Sequence, residues 1–262
     1  MRRGGQLMAG VACLAAAPPA SPPSLPVIVV AHRGLAKGMP ENTLAAFGRS
    51  IERGLTIIEL DVRTTRDGHL VILHDVTLDR TTDCSGLVGD LSLARVKSCH
   101  AGWPSHPRER IPTLAEALDF VRDRPARFLL DLKPGTSLPD VLKAIRDHRL
   151  QSKVILGLRR VADIYRVRNE APGVTTLAFV PNVADASRFA AVGTDIIRLW
   201  SDWVEADPTI VARTNGLGPQ VWIMVGRKLP KRDPDWRALH VRMIASGAQG
   251  LITDRPELIS TP

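Results

Sequence analysis

Short apolar runs alternate with amphipathic stretches along most of this chain. Unbroken apolar runs of this length are typical of strands buried on both faces, and the stretches between them suit crossover helices. Eight runs are predicted as strands of one sheet: 26–31, 57–62, 127–133, 154–156, 175–179, 196–200, 221–225 and 250–253. Eight strands separated by helices, in a chain of 262 residues, predict an α/β fold of the (β/α)₈ (TIM) barrel type. An open doubly wound sheet is the alternative, but residues 32–38 lack the glycine spacing of its phosphate-binding turn.

One long segment departs from this alternation. The turn signal at 65–68 and the apolar run 70–73 predict a hairpin that follows the second strand. Residues 76–110 then form an irregular stretch that is too long for an ordinary connection. We therefore expect a small insertion at 75–110, which acts as a lid on a barrel that spans 27–262.

Two acids stand among the apolar residues of the second strand. Glu59 and Asp61 are two positions apart, so they point to the same face of the strand. Asp131 and Lys133 repeat this arrangement on the next parallel strand. Buried carboxylates need a compensating positive charge, and three converging carboxylates suit a hard cation. We expect Glu59, Asp61 and Asp131 to bind Mg²⁺ or Ca²⁺, although an acid beside a lysine is more often a structural ion pair.

Histidine and basic residues are predicted at the same face. His32 and Arg33 follow the first strand, and His74 ends the hairpin. Because the carboxyl ends of barrel strands converge, these side chains should meet the carboxylates. Two histidines can supply a base and an acid, while Arg33 and Lys133 can stabilise negative charge on phosphorus. Either histidine can start as the base; the working assignment is His32 as base and His74 as acid.

The ordered motifs of the chain also resemble a known family. They comprise His32-Arg33-Gly34, ENTLAAF at 41–47, ELDV at 59–62, TRDG at 65–68, HD at 74–75, LDRTT at 78–82, IPTL at 111–114 and the closing 247–256. This series is similar to that of the glycerophosphodiester phosphodiesterases. The resemblance implies a TIM barrel, His32 and His74 as the acid–base pair, and Glu59 and Asp61 as metal ligands. It also implies that Arg33 and Lys133 hold the phosphate, and that the insertion overhangs the glycerol end of the substrate.

One position departs from that family pattern. The third ligand is usually Glu followed two residues later by Lys, whereas this chain has Asp131. An Asp there is similar to the related sphingomyelinase D-type phospholipases, although the closing 251–256 resembles the glycerophosphodiesterase ending. The expected activity is metal-dependent hydrolysis of glycerophosphodiesters to sn-glycerol 3-phosphate and an alcohol. Phospholipase D-like headgroup cleavage and non-catalytic phosphodiester binding are the alternatives.

Further residues are candidates for the surroundings of the site. Glu41 and Asn42 are candidate substrate or supporting residues, and Asn42 or Thr43 should cap the helix that runs to Ile51. Trp200 and Phe179 follow predicted strands and are candidates for the wall of the leaving-group side; barrel cores also take aromatic residues.

Composition and the amino terminus bear on partners and location. The net charge of +8 favours anionic substrates or transient contact with an acidic membrane surface, while the absence of a Lys/Arg block argues against nucleic acid. Residues 1–26 have the charged start, apolar middle and Pro/Ser stretch of a secretory leader. We therefore expect export to the periplasm or medium, with lipid anchoring at Cys13 as an alternative. In such a compartment Cys84 and Cys99 are candidates for a disulfide.

Overall fold

The computed structural model describes residues 27–34, 38–226 and 235–259. The predicted leader at 1–26, including Cys13, lies outside the described residues. None of the helices in the described ranges has the length and hydropathy needed to cross a membrane.

The described residues form nine strands and nine α-helices in near-regular alternation. The strands are β1 (Ile28–Ala31), β2 (Ile57–Thr64), β3 (Leu70–Ile72), β4 (Arg127–Leu132), β5 (Val154–Leu158), β6 (Thr175–Phe179), β7 (Ile196–Trp200), β8 (Gln220–Met224) and β9 (Gly250–Thr253). The helices are α1 (Leu44–Glu52), α2 (Leu93–Ser98), α3 (Leu114–Val121), α4 (Leu138–His148), α5 (Val161–Glu170), α6 (Ala186–Ala191), α7 (Ser201–Ala206), α8 (Ile210–Asn215) and α9 (Trp236–Ala245).

Eight of the strands close into a parallel barrel. Their order around the barrel is β1, β9, β8, β7, β6, β5, β4 and β2, and β2 pairs again with β1. The ninth strand, β3, pairs antiparallel with β2 as the outer arm of the hairpin. The TIM-barrel prediction is confirmed, and the predicted strand ends differ from the observed ones by only one or two residues.

An apolar layer fills the barrel interior. Each barrel strand contributes one inward residue: Val30, Ile57, Leu129, Ile155, Leu177, Ile196, Trp222 and Ile252. Trp222 fits because Gly250 faces it, and a Cβ at that glycine would lie 2.8 Å from the indole. Side chains alternate along a strand, so the next inward residues toward the carboxyl ends lie above this layer and line the site.

The insertion has a small core of its own. Val71, Leu73, Leu78, Val88 and four further buried residues pack together: Val96, Cys99, Ala101 and Ile111. The disulfide between Cys84 and Cys99 ties this core together, with a Cα–Cα distance of 5.7 Å. The sequence predicts no regular structure in this segment, and that prediction is wrong for α2. Ser92 caps α2 by accepting a hydrogen bond from the Arg95 amide, but six residues are too few to show a helical period.

Helix α1 fixes the roles of two neighbouring residues that were equal candidates for its cap. Thr43 caps the helix, because its hydroxyl accepts a hydrogen bond from the Ala46 amide at 3.2 Å. Asn42 has a left-handed backbone with φ of 59°. Its side chain points into the site instead.

Candidate active site

A cavity of about 420 Å³ opens at the carboxyl ends of the barrel strands. It is lined by His32, Arg33, Glu59, His74, Asp131, Lys133, Arg159, Phe179, Arg198, Trp200, Met224, Gly226, Ile252 and Asp254. The structure therefore brings together both candidate histidines, both candidate phosphate ligands and the carboxylate cluster, because Asp61 lies directly beside Glu59 and Asp131. The candidate wall residues Phe179 and Trp200 line the same cavity.

Three buried carboxylates cluster at one side of the cavity, where Glu59 and Asp131 line it and Asp61 lies beside them. Glu59 and Asp61 lie on β2, and Asp131 lies opposite Asp61 in the β2–β4 register. One oxygen from each lies within 4.8 Å of the others. The Lys133 ammonium approaches Asp61 Oδ1 to 2.5 Å and Asp131 Oδ2 to 2.6 Å.

The charge balance of this cluster fits a divalent cation. Burial, reinforced by the negative charge of Asp61, raises the pKa of Glu59 to about 8. Asp61 Oδ1 is fully buried, and Lys133 is its charged neighbour among the described residues. A set of carboxylate oxygens is the kind of ligand set that Mg²⁺ and Ca²⁺ prefer. Glu59, Asp61 and Asp131 could therefore hold a metal ion.

Asn42 supports the deepest of these carboxylates. Its Nδ2 donates to Asp61 Oδ2 at 2.8 Å, and its Oδ1 accepts a hydrogen bond from the Asp61 amide at 3.2 Å. This two-point contact holds both the backbone and the side chain of Asp61. Asn42 thus lies beside the cluster and contacts it, rather than lining the cavity.

The loop after β1 presents Arg33 in an unusual backbone conformation. Arg33 has φ of 55°, and its amide donates to Glu59 Oε2 at 2.8 Å. Its guanidinium lies 3.0 Å from Glu41 Oε1 and 3.6 Å from Asp61 Oδ2. The next residue, Gly34, also has a positive φ, and a Cβ there would collide with Phe47. Non-glycine residues with positive φ are often found at functional sites.

His32 lies between two carboxylates. Its Nδ1 is 2.5 Å from Asp254 Oδ1, and its Nε2 is 3.9 Å from Glu59 Oε2. Burial alone would lower the pKa of His32, but the charges of Glu59 and Asp254 outweigh it and raise the pKa above its usual value. The contact with Asp254 therefore occupies Nδ1 of His32, and its Nε2 faces the carboxylate cluster.

His74 is held by its neighbour and by β2. Its Nδ1 lies 2.6 Å from Asp75 Oδ1, and Arg63 donates to its carbonyl oxygen at 2.6 and 2.9 Å. Burial lowers the pKa of His74, and the hydrogen bond to Asp75 only partly offsets this effect. A lowered pKa of His74 and a raised pKa of His32 favour His74 as base and His32 as acid, which is the opposite of the working assignment.

A chain of ion pairs links the two histidine-bearing loops through the insertion. Arg80 contacts Glu41 at 2.7 and 2.9 Å and Asp75 at 2.5 and 3.1 Å. Glu41 in turn holds Arg33, and Asp75 holds His74. Glu41 therefore acts on the site through Arg33, and Arg80 ties the insertion to both sides of the cavity.

The wall opposite the histidines alternates arginine and aromatic side chains. Arg159 lies 4.6 Å from the centre of the Phe179 ring, and Arg198 lies 5.0 Å from it. Arg198 also lies 3.7 Å from the centre of the Trp200 ring. Arg159 binds Asp131 at 2.5 and 3.0 Å as well. Burial alone would raise the pKa of Asp131, but its contacts with Arg159 and Lys133 outweigh this effect and lower the pKa.

The glycerophosphoryl diester phosphodiesterase family model matches residues 32–258, which includes every strand after β1 and the whole cavity lining. The chain belongs to this family. The family resemblance drawn from the motifs is therefore confirmed.

Individual relatives agree with this membership. A glycerophosphodiester phosphodiesterase of Caldanaerobacter subterraneus subsp. tengcongensis is 33% identical over 88% of this chain and 96% of its own length. A probable glycerophosphodiester phosphodiesterase 1 of Mycobacterium tuberculosis is 32% identical over 74% of this chain and 80% of its own.

Solved structures share the barrel. A glycerophosphodiester phosphodiesterase of Agrobacterium tumefaciens superposes with a TM-score of 0.74 and 26% identity, covering 88% of this chain and 98% of that one. An Oleispira antarctica phosphodiesterase, solved with the product sn-glycerol-3-phosphate, has the same fold with a TM-score of 0.76 and 24% identity, covering 88% of this chain and 94% of that one.

Four residues of the site were not predicted from the sequence: Asp254, Arg159, Arg198 and Arg80. Asp254, Arg159 and Arg198 all obey the alternation that predicted Glu59 and Asp61, because each lies two positions beyond an inward residue. Following that alternation along β7, and one residue past the ends of β5 and β9, would have found them. Arg80 lies outside this alternation, because its position depends on the path of the insertion, and its place in the LDRTT motif at 78–82 is its signal in the sequence.

Proposed function

We propose that this protein hydrolyses glycerophosphodiesters to sn-glycerol 3-phosphate and an alcohol. The observation that carries this proposal is the placement of two carboxylate-bound histidines beside a three-carboxylate cluster in one cavity. Cleavage of a phosphodiester uses an acid, a base and groups that stabilise negative charge on the phosphate oxygens. Family membership supports the same reaction and the classification of the protein as a phosphoric diester hydrolase.

The proposed cofactor is Mg²⁺ or Ca²⁺, held by Glu59, Asp61 and Asp131. When bound, such an ion would supply positive charge for the non-bridging oxygens of the substrate. Arg33 and Lys133 are the proposed ligands of the same phosphate, and their position in the cavity lining beside these carboxylates supports this assignment. Asn42 fixes Asp61, and the Arg33 amide fixes Glu59.

The proton transfers are assigned from the charges around each histidine. Neutral His74, oriented through Nδ1 by Asp75, has Nε2 available to accept a proton from the nucleophile, which is water or a neighbouring substrate hydroxyl. His32 is held by Asp254, and its raised pKa favours the protonated form, so we assign it the donation of a proton to the leaving alcohol. General acid–base catalysis of this kind contributes about 10²- to 10⁴-fold in rate.

A substrate panel tests the proposed reaction. Chelated protein is resupplied with Mg²⁺ or Ca²⁺ and given glycerophosphocholine, lysophosphatidylcholine or sphingomyelin, and the released products are followed by phosphorus NMR. We expect sn-glycerol 3-phosphate from glycerophosphocholine and no release after chelation. Release only from the two lipids would favour the phospholipase alternative, which is supported by Asp131 at the position of the usual Glu. Tight binding without release would favour a binding protein.

We also propose export from the cytoplasm. The leader pattern of 1–26 supports it, and so does the disulfide between Cys84 and Cys99, because such bonds persist in oxidising compartments. The net charge of +8 is compatible with transient contact with acidic lipid. Amino-terminal sequencing of the exported protein tests the leader: a cleaved terminus before β1 supports it, whereas an intact Met1 on cytoplasmic protein contradicts it.

A further inference from the structure

The wall formed by β5, β6 and β7 has an organisation that diester cleavage itself does not require. Arg159, Phe179, Arg198 and Trp200 follow one another around the cavity rim, in the order of their strands. The histidines lie across the cavity, after β1 and at the end of the hairpin, whereas the carboxylate cluster on β2 and β4 adjoins one end of this row through the contact of Arg159 with Asp131. From Arg159 the row extends away from the cluster to Trp200 on β7. This row, which we call the arginine–aromatic wall, is therefore accessible to a part of the substrate other than the reacting phosphorus.

Both aromatic rings of this wall already carry arginine guanidinium groups in cation–π contact. The guanidinium of Arg198 lies 3.7 Å from the centre of the Trp200 ring, and two guanidinium groups lie within 5.0 Å of the centre of the Phe179 ring. A quaternary ammonium group binds proteins through open aromatic faces at about 6 Å or less. Such a group would meet the two arginines here instead, and like charges repel it.

Arg159 is the member of the wall best placed to contact a ligand. Its side chain is 40% exposed at the cavity. Its Nη1 donates to Asp131 and to the Leu132 carbonyl, and its Nη2 donates to Asp131. Within the part of the chain that the structure describes, Nε and the second hydrogen of Nη2 meet no acceptor. A guanidinium with donors to spare is suited to a carboxylate or a phosphate.

The packing of Phe179 keeps Arg159 at the rim. The Phe179 ring occupies the space in front of Gly157, where any Cβ would collide with it. Gly157 and Arg159 are both inward positions of β5, so the ring lies below Arg159 and supports its guanidinium from beneath. The position of Arg159 is thus defined on one side by Asp131 and on another by Phe179.

We propose that the arginine–aromatic wall binds an anionic group on the alcohol moiety of the substrate, so that the protein prefers glycerophosphodiesters whose alcohol carries a carboxylate or phosphate. This inference rests on the proposed function. The insertion follows β3 and covers the side of the barrel where the glycerol is expected. The wall lies on the opposite side, where the alcohol leaves.

Two matched substrate pairs test this preference. Glycerophosphoserine differs from glycerophosphoethanolamine by one carboxylate, and glycerophosphoinositol 4-phosphate differs from glycerophosphoinositol by one phosphate. Hydrogen bonds between charged partners correspond to about 10- to 100-fold in kcat/KM. We expect the anionic member of at least one pair to be favoured by that factor, and the pair that responds identifies the anion.

The preference is expressed as the kcat/KM for the anionic substrate divided by that for its neutral partner. Arg159→Gln should reduce this ratio to within about threefold of unity, whatever its effect on the absolute rate. Arg160→Gln is the matched control, because it removes the same charge from an exposed residue outside the cavity lining, and it should keep the wild-type ratio. Arg159→Lys keeps the charge but loses the planar fork, so an intermediate ratio is expected.

Ratios near or below unity in the wild type for both pairs would overturn the inference while leaving diester hydrolysis intact. An unchanged ratio in Arg159→Gln would overturn it as well. Failure to hydrolyse any of the four diesters would instead refute the proposed function, and this inference with it.

Discussion

Arg80 and Asp75 are joined at two points, with Nε donating to Oδ2 at 2.5 Å and Nη2 donating to Oδ1 at 3.1 Å. Asp75 is in turn the carboxylate that orients His74. The same guanidinium holds Glu41, which holds Arg33. One residue of the insertion therefore positions a base on one side of the cavity and a phosphate ligand on the other.

Arg80→Gln should lower kcat by about 10- to 100-fold, the usual loss when a residue that orients a site ligand is removed. Asp75 would then interact with His74 without a competing cation. The pKa of His74 should rise, and the acidic limb of the kcat pH profile should move to higher pH. Arg80→Lys should recover only part of the activity, because an ammonium cannot hold two carboxylates in the same fork.

Arg108→Gln is the control for this experiment, since Arg108 is an exposed arginine of the same insertion. It should behave as the wild type. A loss of activity in Arg80→Gln without any shift of the pH profile would show that Arg80 stabilises the insertion but does not position His74.

Cation binding should release protons at neutral pH. Burial and Asp61 raise the pKa of Glu59 to about 8 in the cation-free protein, so this carboxyl is mostly protonated at pH 7, whereas a ligand must be ionised. Titration calorimetry of Mg²⁺ or Ca²⁺ at pH 7, in two buffers of different ionisation enthalpy, should give about one proton released per ion.

Glu59→Gln should abolish this proton release and weaken binding. In the wild type the affinity should rise with pH up to about 8 and then level off. Binding without proton release in the wild type would contradict Glu59 as a protonated ligand.

Much of the fold and of the site follows from alternation along strands. Because Glu59 and Asp61 are two residues apart on a buried strand, their common face could be deduced, and barrel closure then brought Asp131 beside them. The contact between His32 and Asp254 needs more information, since it depends on the β1–β9 register that places Ala31 opposite Thr253.

The order of proton transfer could not be deduced in this way. At each histidine, burial lowers the pKa and the nearby carboxylates raise it. Which effect is larger depends on the three-dimensional packing around the side chain. Likewise, the pairing of Asp131 with Arg159 follows from the short arm of an aspartate and a guanidinium that reaches it from β5. The sequence shows both residues but not their contact.

His240 should make the protein sensitive to acid. It is buried in α9, where Nε2 lies 2.9 Å from Thr253 Oγ1 and Nδ1 has no hydrogen-bond partner in the described ranges. Burial lowers its pKa from 6.5 to about 4. The unfolded chain therefore takes up a proton as pH falls below 6.5, while the folded state resists protonation until about pH 4.

The stabilisation linked to His240 is complete above pH 6.5 and is lost progressively between 6.5 and 4. At pH 5 the loss amounts to about 2 kcal/mol. Denaturant melts of the wild type and of His240→Gln at pH 7.5 and pH 5 isolate this effect, because other titrating groups are common to both. Equal losses in the two proteins would contradict the prediction.

The disulfide should stabilise the insertion more than the barrel. Cys84 and Cys99 are 15 residues apart, and closing a loop of that size contributes about 3 kcal/mol. The double variant Cys84→Ser, Cys99→Ser should lose hydrogen-exchange protection in residues 76–110. The amides of β5 to β7 serve as the internal reference and should keep their protection. Unchanged protection in the insertion would show that its apolar core is sufficient alone.

The most direct test of the two-histidine site compares the wild type, His32→Ala and His74→Ala on two substrates, after circular dichroism has shown that all three are folded. Glycerophosphoethanolamine has a leaving group that must be protonated, whereas glycerophospho-4-nitrophenol does not. We expect the wild type to cleave both, and each variant to lose about 10²- to 10⁴-fold on glycerophosphoethanolamine. On the nitrophenyl ester His32→Ala should retain near-wild-type activity and His74→Ala should not. Wild-type turnover of glycerophosphoethanolamine by either variant would contradict the account.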